Sequence, residues 1–261
     1  MANAVGLNTG ATLTPGSLAN ISTEALKQQI LKRVEGRDGD TIADKVRLVD
    51  QELMPLFEAL RERNPTPDLR DQVDVIQGVW WCAWSTIPFQ DILPGRSHKQ
   101  SYQIFDNNGY YANLARYQFS QKIPLLRRFA KELLNYDFMI IQSYAIADRA
   151  DACDQQHWDI ENVGLRQRFR LKALPFSPAA AQSWFNREMI QYLKKQADSS
   201  KTQDRAIPTQ GLARSTTKRY EQIYQSKPTL EHWYIDQDFR LVKSRREANQ
   251  RPSYTIATRL I

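Results

Sequence analysis

Hydrophobic residues follow a helical period along the first quarter of the chain. Leu26, Ile30 and Leu31 share one face behind Ser22, a residue type that caps helix N-termini. Asp40 is the expected cap of a second helix. Six aliphatic residues keep the same spacing on that helix: Ile42, Val46, Val49, Leu53, Leu56 and Leu60. The run Asn64-Pro65-Thr66-Pro67 ends the pattern, because proline lacks a backbone donor and restricts the residue before it.

A period of two replaces the helical period after Ile76. On a strand over Gly78–Thr86, alternation places Trp80, Cys82 and Trp84 on one face and the residues between them on the other. Six further segments read as strands: 102–105, 110–119, 138–147, 163–173, 233–242 and 253–260. Asn and Gly in Asp106-Asn107-Asn108-Gly109 suit a hairpin turn. Many short antiparallel strands predict a mainly β chain, a barrel or a sandwich.

Two segments interrupt the alternation. Pro124–Tyr136 is compatible with a short helix or with a strand and its turn. Residues 177–196 predict an amphipathic helix, since Ser177-Pro178 combines a cap with proline at the first helical position. We therefore expect a flexible tail over 1–20, a helical segment over 21–67 and a barrel over 68–261. The barrel would carry a helix and basic linker inserted at 177–218, the best candidate for a lid, a membrane contact or a docking element.

The net charge of +7 is unevenly distributed. Residues 165–261 carry 19 Lys and Arg against 8 acidic residues, whereas residues 1–164 carry 17 against 21. Six cations are expected to contact anionic lipid head groups: Arg166, Arg168, Arg170, Lys172, Lys194 and Lys195. The first four alternate with apolar residues on a predicted strand. A merely solvated strand face is the alternative interpretation.

The residue types that carry chemistry are sparse. Cys82 and Cys153 cannot form a disulfide framework, and the three histidines lack metal-ligand spacing. Hydrolase elbows, phosphate loops and metal signatures are missing from the sequence, so we expect neither catalysis nor a cofactor. The cations lack an accompanying RNA- or DNA-binding motif, which argues against nucleic acid as a partner. The apolar runs fall far below the about 20 residues that cross a bilayer, and we see no secretory signal.

Six residues are candidates for lining a ligand pocket inside the predicted barrel: Cys82, Trp84, Tyr102, Ile104, Phe169 and Leu171. An eight- to ten-stranded barrel has room for one small apolar ligand. For Cys82 and Trp84, pocket lining and ordinary core packing remain equally open. Trp80 is better explained as a plug of the barrel end.

Gly78-Val79-Trp80 resembles the Gly-x-Trp that opens the first strand of lipocalin-like barrels, in which an arginine of the last strand, here Arg259, covers the tryptophan. In a wider context the chain resembles the plastid lipid-associated protein, or fibrillin, family. The resemblance rests on Asn64-Pro65-Thr66-Pro67, on Gly78 to Thr86, on Pro94-Gly95-Arg96, on Tyr102 to Asp106 with Asn113, and on Tyr234 to Leu241 near the end.

This resemblance implies a lipocalin-like barrel that binds an apolar lipid, quinone or carotenoid. It also implies a place on the cytoplasmic or stromal side, peripheral to thylakoid membranes or lipid globules, in a cyanobacterial member or a processed plastid protein. Two alternatives remain. One is a scaffold with a filled interior that docks a protein partner through 177–218, and the other is a bilin-handling barrel of the chromophore lyase type.

Overall fold

The computed structural model describes residues 18–88, 96–118, 134–146, 157–171, 175–198, 226–247 and 249–261. A single sheet of eight antiparallel strands closes into a ring, a closed barrel in which the strands follow chain order. The strands are β1 (Gly78–Ser85), β2 (Arg96–Phe105), β3 (Tyr110–Gln118), β4 (Leu134–Ile146), β5 (Trp158–Leu171), β6 (Thr229–Ile235), β7 (Phe239–Arg245) and β8 (Ser253–Arg259). The chain is mainly β, as the alternation predicts.

Closure depends on β1, which pairs with β2 on one side and with β8 on the other. Trp81 stands opposite Tyr102 in the first pairing and opposite Thr258 in the second. The longest ladder joins β4 to β5, whereas β5 and β6 share only the pairs Trp158–Leu230 and Asp159–Thr229. Because successive side chains alternate across each strand, the sheet has an inner and an outer face.

The described residues form five α-helices: α1 (Thr23–Val34), α2 (Ile42–Leu48), α3 (Met54–Arg61), α4 (Leu69–Ile76) and α5 (Pro178–Asp198). A π-helical turn over Val49–Leu53 joins α2 to α3, so the periodic segment predicted there is one continuous helical run. Its cap is Thr41 and not Asp40, because the Thr41 hydroxyl accepts from the Asp44 amide at 3.2 Å. Ser22 caps α1 as predicted.

Two local predictions were wrong. The segment 233–242 is not one strand but parts of two, because Asp236 turns the chain between β6 and β7. Its Oδ1 accepts from the amides of Asp238 and Phe239 at 3.1 and 2.9 Å, which is an Asx turn. The short helix α4, capped by Asp68, was not predicted either, because eight residues offer too few turns for a clear period.

Apolar residues pack on both faces of the sheet. The N-terminal helices cover one outer patch, where Leu53 and Phe57 join Trp84 and Tyr254. Helix α5 covers a second outer patch, so the predicted insertion is a docked helix. Of the other predicted segments, 1–17, 119–133 and 199–218 lie outside the described residues. Leu18, placed in the predicted tail, is buried at 3 % exposure.

Candidate functional site

The closed sheet encloses a cavity of about 500 Å³, and all eight strands contribute to its wall. Ligand pockets in proteins generally measure about 300–1,000 Å³, so this volume suits one small molecule. We call the end of the sheet at which β1 begins the lower end, and the bottom of the cavity lies there. Towards the opposite end its wall includes Ile87, Pro88 and Arg251, which lie beside the end of β1 and the start of β8.

Aromatic side chains fill the lower end of the sheet. Trp80 and Trp158 are fully buried there, and Tyr144 stacks on Trp158 with 4.6 Å between ring centroids. Phe105 stacks on Tyr111 at 4.7 Å. These rings come from five strands that all meet at this end, so the bottom of the cavity is closed by packed side chains.

Arg259 and Gly78 complete the lower end around Trp80. The Arg259 guanidinium lies 4.2 Å from the centre of the Trp80 ring and donates to the backbone carbonyls of Gln77 and Val75. Gly78 has φ +108°, and a Cβ there would stand 2.5 Å from the Ile261 carbonyl oxygen. Only glycine fits this position, because the C-terminal strand passes so close. The arrangement is the one that the Gly-x-Trp pattern leads us to expect.

Arg240 lies on the inner side of this aromatic floor and also lines the cavity. It is 0 % exposed, and its guanidinium carbon is 4.5 Å from the Phe105 ring centre and 5.2 Å from that of Trp80. Its Nη1 donates to Gln103 Oε1 at 3.4 Å, whereas Nε and Nη2 have no hydrogen-bond partner among the described residues. Burial lowers the pKa of Arg240 to about 9, so the group is still cationic at neutral pH.

A chain of amide side chains runs around the cavity wall from Gln103. Gln103 donates to Asn113 at 2.8 Å, Asn113 to Gln142 at 2.5 Å, and Gln142 to Asn162 at 2.8 Å. The four residues occupy four successive strands, β2 to β5, and all line the cavity. With Arg240 they form a polar belt, which we define as Gln103, Asn113, Gln142, Asn162 and Arg240.

Above the polar belt the wall becomes apolar. Ala115, Phe138 and Ile140 line the cavity on β3 and β4, nearer the end at which β1 finishes. Tyr117 stacks on Tyr136 at 5.1 Å beside them. On β3 and β4 the interior therefore combines the polar belt with an apolar stretch of wall above it, an arrangement that suits an amphiphilic molecule, whereas Arg96, Arg245, Arg246 and Arg251 line the cavity towards its upper end.

Charge along the cavity wall is of one sign. Among the described lining residues there are five arginines and no Asp or Glu; the arginines are Arg96, Arg240, Arg245, Arg246 and Arg251. Arg96 is balanced by Asp38, a buried carboxylate that also accepts from Lys45 and His98 at 3.3 and 2.6 Å. Burial alone would raise the pKa of Asp38, but the His98 hydrogen bond and the charges of Arg96 and Lys45 outweigh it, and the pKa falls to about 2.

Of the six residues predicted to line the interior, Cys82 and Tyr102 do so. Trp84 does not. The register with β8 shifts between Cys82 and Trp84, so a bulge turns Trp84 to the outer face. There Trp84 packs beneath the N-terminal helices, and Lys45 Nζ lies 6.0 Å from its ring centre.

Ile104 differs from the prediction, since its side chain belongs to the outer patch under α5 and it does not line the cavity. Tyr102 packs in the same outer patch, where its hydroxyl donates to the Phe176 carbonyl at 2.6 Å, and it also contributes to the cavity wall. Phe169 is 63 % exposed near the upper end of β5, and the side chain of Leu171 lies outside the described residues.

The row of cations on β5 is not an open surface. Asp137 is completely buried and accepts from Arg116, Arg168 and Arg170 at 2.7, 3.0 and 3.3 Å. Arg168 also lies 4.0 Å from the centre of the Trp184 ring on α5.

Arg166 is held in the same way, since it binds Glu188 of α5 at 2.7 Å. The prediction of a lipid-facing ladder was therefore wrong for Arg166 and Arg168, because the late helix covers that face and Asp137 and Glu188 pair with its cations. Arg170 is 45 % exposed and Lys194 is exposed. Lys172 and the Lys195 side chain lie outside the described residues.

The polar belt is the feature that the sequence interpretation missed. Its amides alternate with Ile104, Ala112 and Ile141, so the period of two places them on one face of each strand, but the sequence analysis assigned them no role. Arg240 lies in the segment 233–242, which was predicted as one strand but forms parts of two. The alternation therefore could not show to which face of the sheet its side chain points.

No family model, curated protein or solved structure matches this chain. None of the helices among the described residues is long and apolar enough to cross a membrane. Within the described part of the chain, no group of three or more His, Cys, Asp or Glu residues could hold a metal ion.

Proposed function

We propose that this chain is a non-catalytic binding protein that holds one small apolar or amphiphilic molecule inside a lipocalin-like barrel. The observation that carries the proposal is the cavity of about 500 Å³, enclosed by the sheet and floored by packed aromatic rings. A protein with a purely structural barrel would be expected to fill this space with its own side chains. The resemblance to the fibrillin family suggests an isoprenoid lipid, quinone or carotenoid as the occupant.

Solvent extraction of the natively purified protein tests this proposal directly. We expect mass spectrometry of the extract to find one class of lipid or pigment in near-stoichiometric amount. Protein purified from a host without that compound should bind the neutral fluorescent probe Nile red with a saturable, single-site curve. If the extract is empty and the probe does not bind, the proposal fails.

A cavity-filling variant locates the binding site. Ala115 lines the upper cavity, so Ala115→Phe should occupy ligand volume and weaken probe binding at least tenfold. Ala179→Phe is the matched control, because Ala179 is exposed on α5. Equal binding by both variants would place the probe outside the barrel.

A scaffold role is the second candidate, and exposed apolar residues on α5 favour it. Ile190 and Leu193 are 55 % and 38 % exposed and lie one helical turn apart. Apolar residues gathered on a surface often mark a protein interface. Under this alternative, Ile190→Glu with Leu193→Glu abolishes partner binding in a pull-down and leaves probe binding unchanged, whereas Ala115→Phe does the reverse.

Attachment to anionic membranes would use exposed cations. Among the described members of the predicted set, Arg170 and Lys194 are exposed, and each would contribute on the order of 1 kcal/mol. We therefore propose weak and reversible attachment through these residues. Sedimentation with vesicles containing phosphatidylglycerol, at low and at physiological salt, measures it.

A further inference from the structure

Arg240 is a buried cation whose charge is not balanced by the protein around it. A buried charge is expensive unless an opposite charge and hydrogen bonds compensate it. The side chain of Arg240 is fully buried, yet within the described part of the chain its one hydrogen bond runs to a neutral amide, Gln103, at 3.4 Å. Two aromatic faces supply the remaining contacts, and these offer only part of the stabilisation that a carboxylate would.

The groups that face Arg240 from neighbouring strands supply no fixed negative charge. Tyr111 and Cys82 have buried side chains, and burial raises the pKa of Tyr111, which keeps its phenol neutral. Arg259 adds a second positive charge on the far side of Trp80. His232 is neutral, since burial and the charge of Arg240 hold its pKa well below the usual value. The described cavity wall likewise contains no carboxylate.

The two unused donors of Arg240 form a recognisable fork. Nε and Nη2 lie along one edge of the planar guanidinium, and that edge matches two oxygens of a carboxylate or phosphate. Both atoms are buried in this structure, so a head group reaches them only when neighbouring side chains of the floor move aside. The neighbouring amides can orient a head group, and the apolar wall at Ala115, Phe138 and Ile140 can hold a tail above it. The cavity thus has a cation at its floor and an apolar stretch of wall on β3 and β4 above it, below the arginines of its upper end.

We propose that the molecule held in the barrel is an amphiphile with one anionic head group, a carboxylate or a phosphate, which Arg240 binds through Nε and Nη2. The inference rests on the proposed binding function and narrows it, because neutral quinones and hydrocarbons would leave the arginine unpaired. The head group lies at the polar belt and the tail points towards the end of the barrel at which β1 finishes.

Three ligands with the same tail test the head group. Dodecanoic acid, dodecyl phosphate and dodecanol are titrated into delipidated protein at neutral pH by isothermal titration calorimetry. We expect at least one of the two anions to bind about 10- to 100-fold more tightly than the alcohol, the range for a charge-assisted bidentate contact. The stronger of the two anions identifies the head-group class. In Arg240→Met this preference should vanish, and all three ligands should bind with similar affinity.

A second variant keeps the test valid if Arg240→Met fails to fold. Gln103→Glu places a carboxylate where an amide oxygen already lies 3.4 Å from Nη1. This internal anion should occupy Arg240, so anion binding falls at least tenfold while dodecanol binding is retained. Gln51→Glu is the matched control, since it makes the same chemical change at an exposed residue that is not part of the cavity wall.

The outcomes distinguish a failure of the anionic head-group inference from a failure of the proposed binding function. Equal affinity for all three ligands, or an anion preference that survives both Arg240→Met and Gln103→Glu, overturns the anionic head group and leaves a binding barrel. Failure of every ligand and of Nile red to bind overturns the binding function itself, and the inference with it.

Discussion

Arginines on the two faces of the same sheet differ in whether a carboxylate balances their charge. On the outer face, Arg116, Arg168 and Arg170 share one completely buried carboxylate, Asp137, at 2.7 to 3.3 Å. On the inner face, Arg240 is completely buried but contacts an amide and two aromatic rings. The carboxylate of Asp137 balances the charge of the outer arginines, whereas no carboxylate among the described residues balances the charge of Arg240.

This contrast indicates which arginine needs an anion from a bound molecule. A paired arginine fixes the helix or strand beside it, as Arg166 and Arg168 fix α5 through Glu188 and Trp184. A buried arginine without a counter-ion lowers the stability of the empty protein and favours any molecule that brings an anion. The outer arginines are therefore part of the architecture, whereas Arg240 marks the site.

The largest effect should follow removal of the shared carboxylate. Asp137→Asn keeps the shape of the side chain but leaves three arginines around a neutral group, one of them, Arg116, buried. Breaking a buried ion pair in this way costs about 3–5 kcal/mol, and we expect that loss in the free energy of unfolding measured with urea. Release of α5 should also lower its protection from hydrogen exchange.

The control for Asp137→Asn is Asp159→Asn, since the Asp159 side chain is 57 % exposed on the neighbouring strand β5. It should change stability by less than about 1 kcal/mol. A similar small change in Asp137→Asn would mean that the outer arginines do not depend on their carboxylate, and the contrast with Arg240 would disappear.

A smaller effect should appear with pH at Asp38, which pairs with the cavity arginine Arg96. Its pKa of about 2 in the fold lies below the ordinary value of 3.8, so its ionised form stabilises the native state. That contribution, about 2 kcal/mol, is fully present well above pH 3.8 and is lost as the pH falls towards 2. Wild-type protein should therefore be more stable than Asp38→Asn at pH 7, and the difference should shrink below pH 4.

Urea unfolding of both proteins at a series of pH values between 7 and 2 measures this difference. Asp159→Asn again serves as the exposed control. A wild-type advantage that stays constant down to pH 2 would show that Asp38 acts through its shape and not through its charge.

The alternation along the chain predicted the strands well, because each one buries at least one face. It could not predict which face is inner wherever the register changes. A bulge after Cys82 carries Trp84 to the outer face, and the docking of α5 makes an outer surface at Tyr102 and Ile104 as dry as the inner one. Aromatic residues in the sequence therefore indicated which positions are buried, but not which of them line the cavity.

Charge was harder to interpret from the sequence, since a pattern shows a cation but not its partner. Arg168 is 31 residues from Asp137, and their pairing depends on the register of β4 with β5. Arg240 gave no signal as an isolated cation between apolar neighbours, a pattern equally typical of a solvated strand face. Only the closed sheet shows that the side chain of Arg240 points into the barrel and that no carboxylate among the described residues pairs with it.

The smallest effect on stability should come from Arg240 itself. Arg240→Met removes two ring contacts and one long hydrogen bond but also removes the cost of burying an unbalanced charge, so the free energy of unfolding of the empty protein should change by less than about 1 kcal/mol. Arg116→Met is the matched control, since that side chain is 5 % exposed and paired with Asp137. It should cost about 3–5 kcal/mol. Equal losses in the two variants, measured on delipidated protein by urea unfolding, would mean that Arg240 is a structural residue like its outer counterparts and that the cavity floor needs no anion.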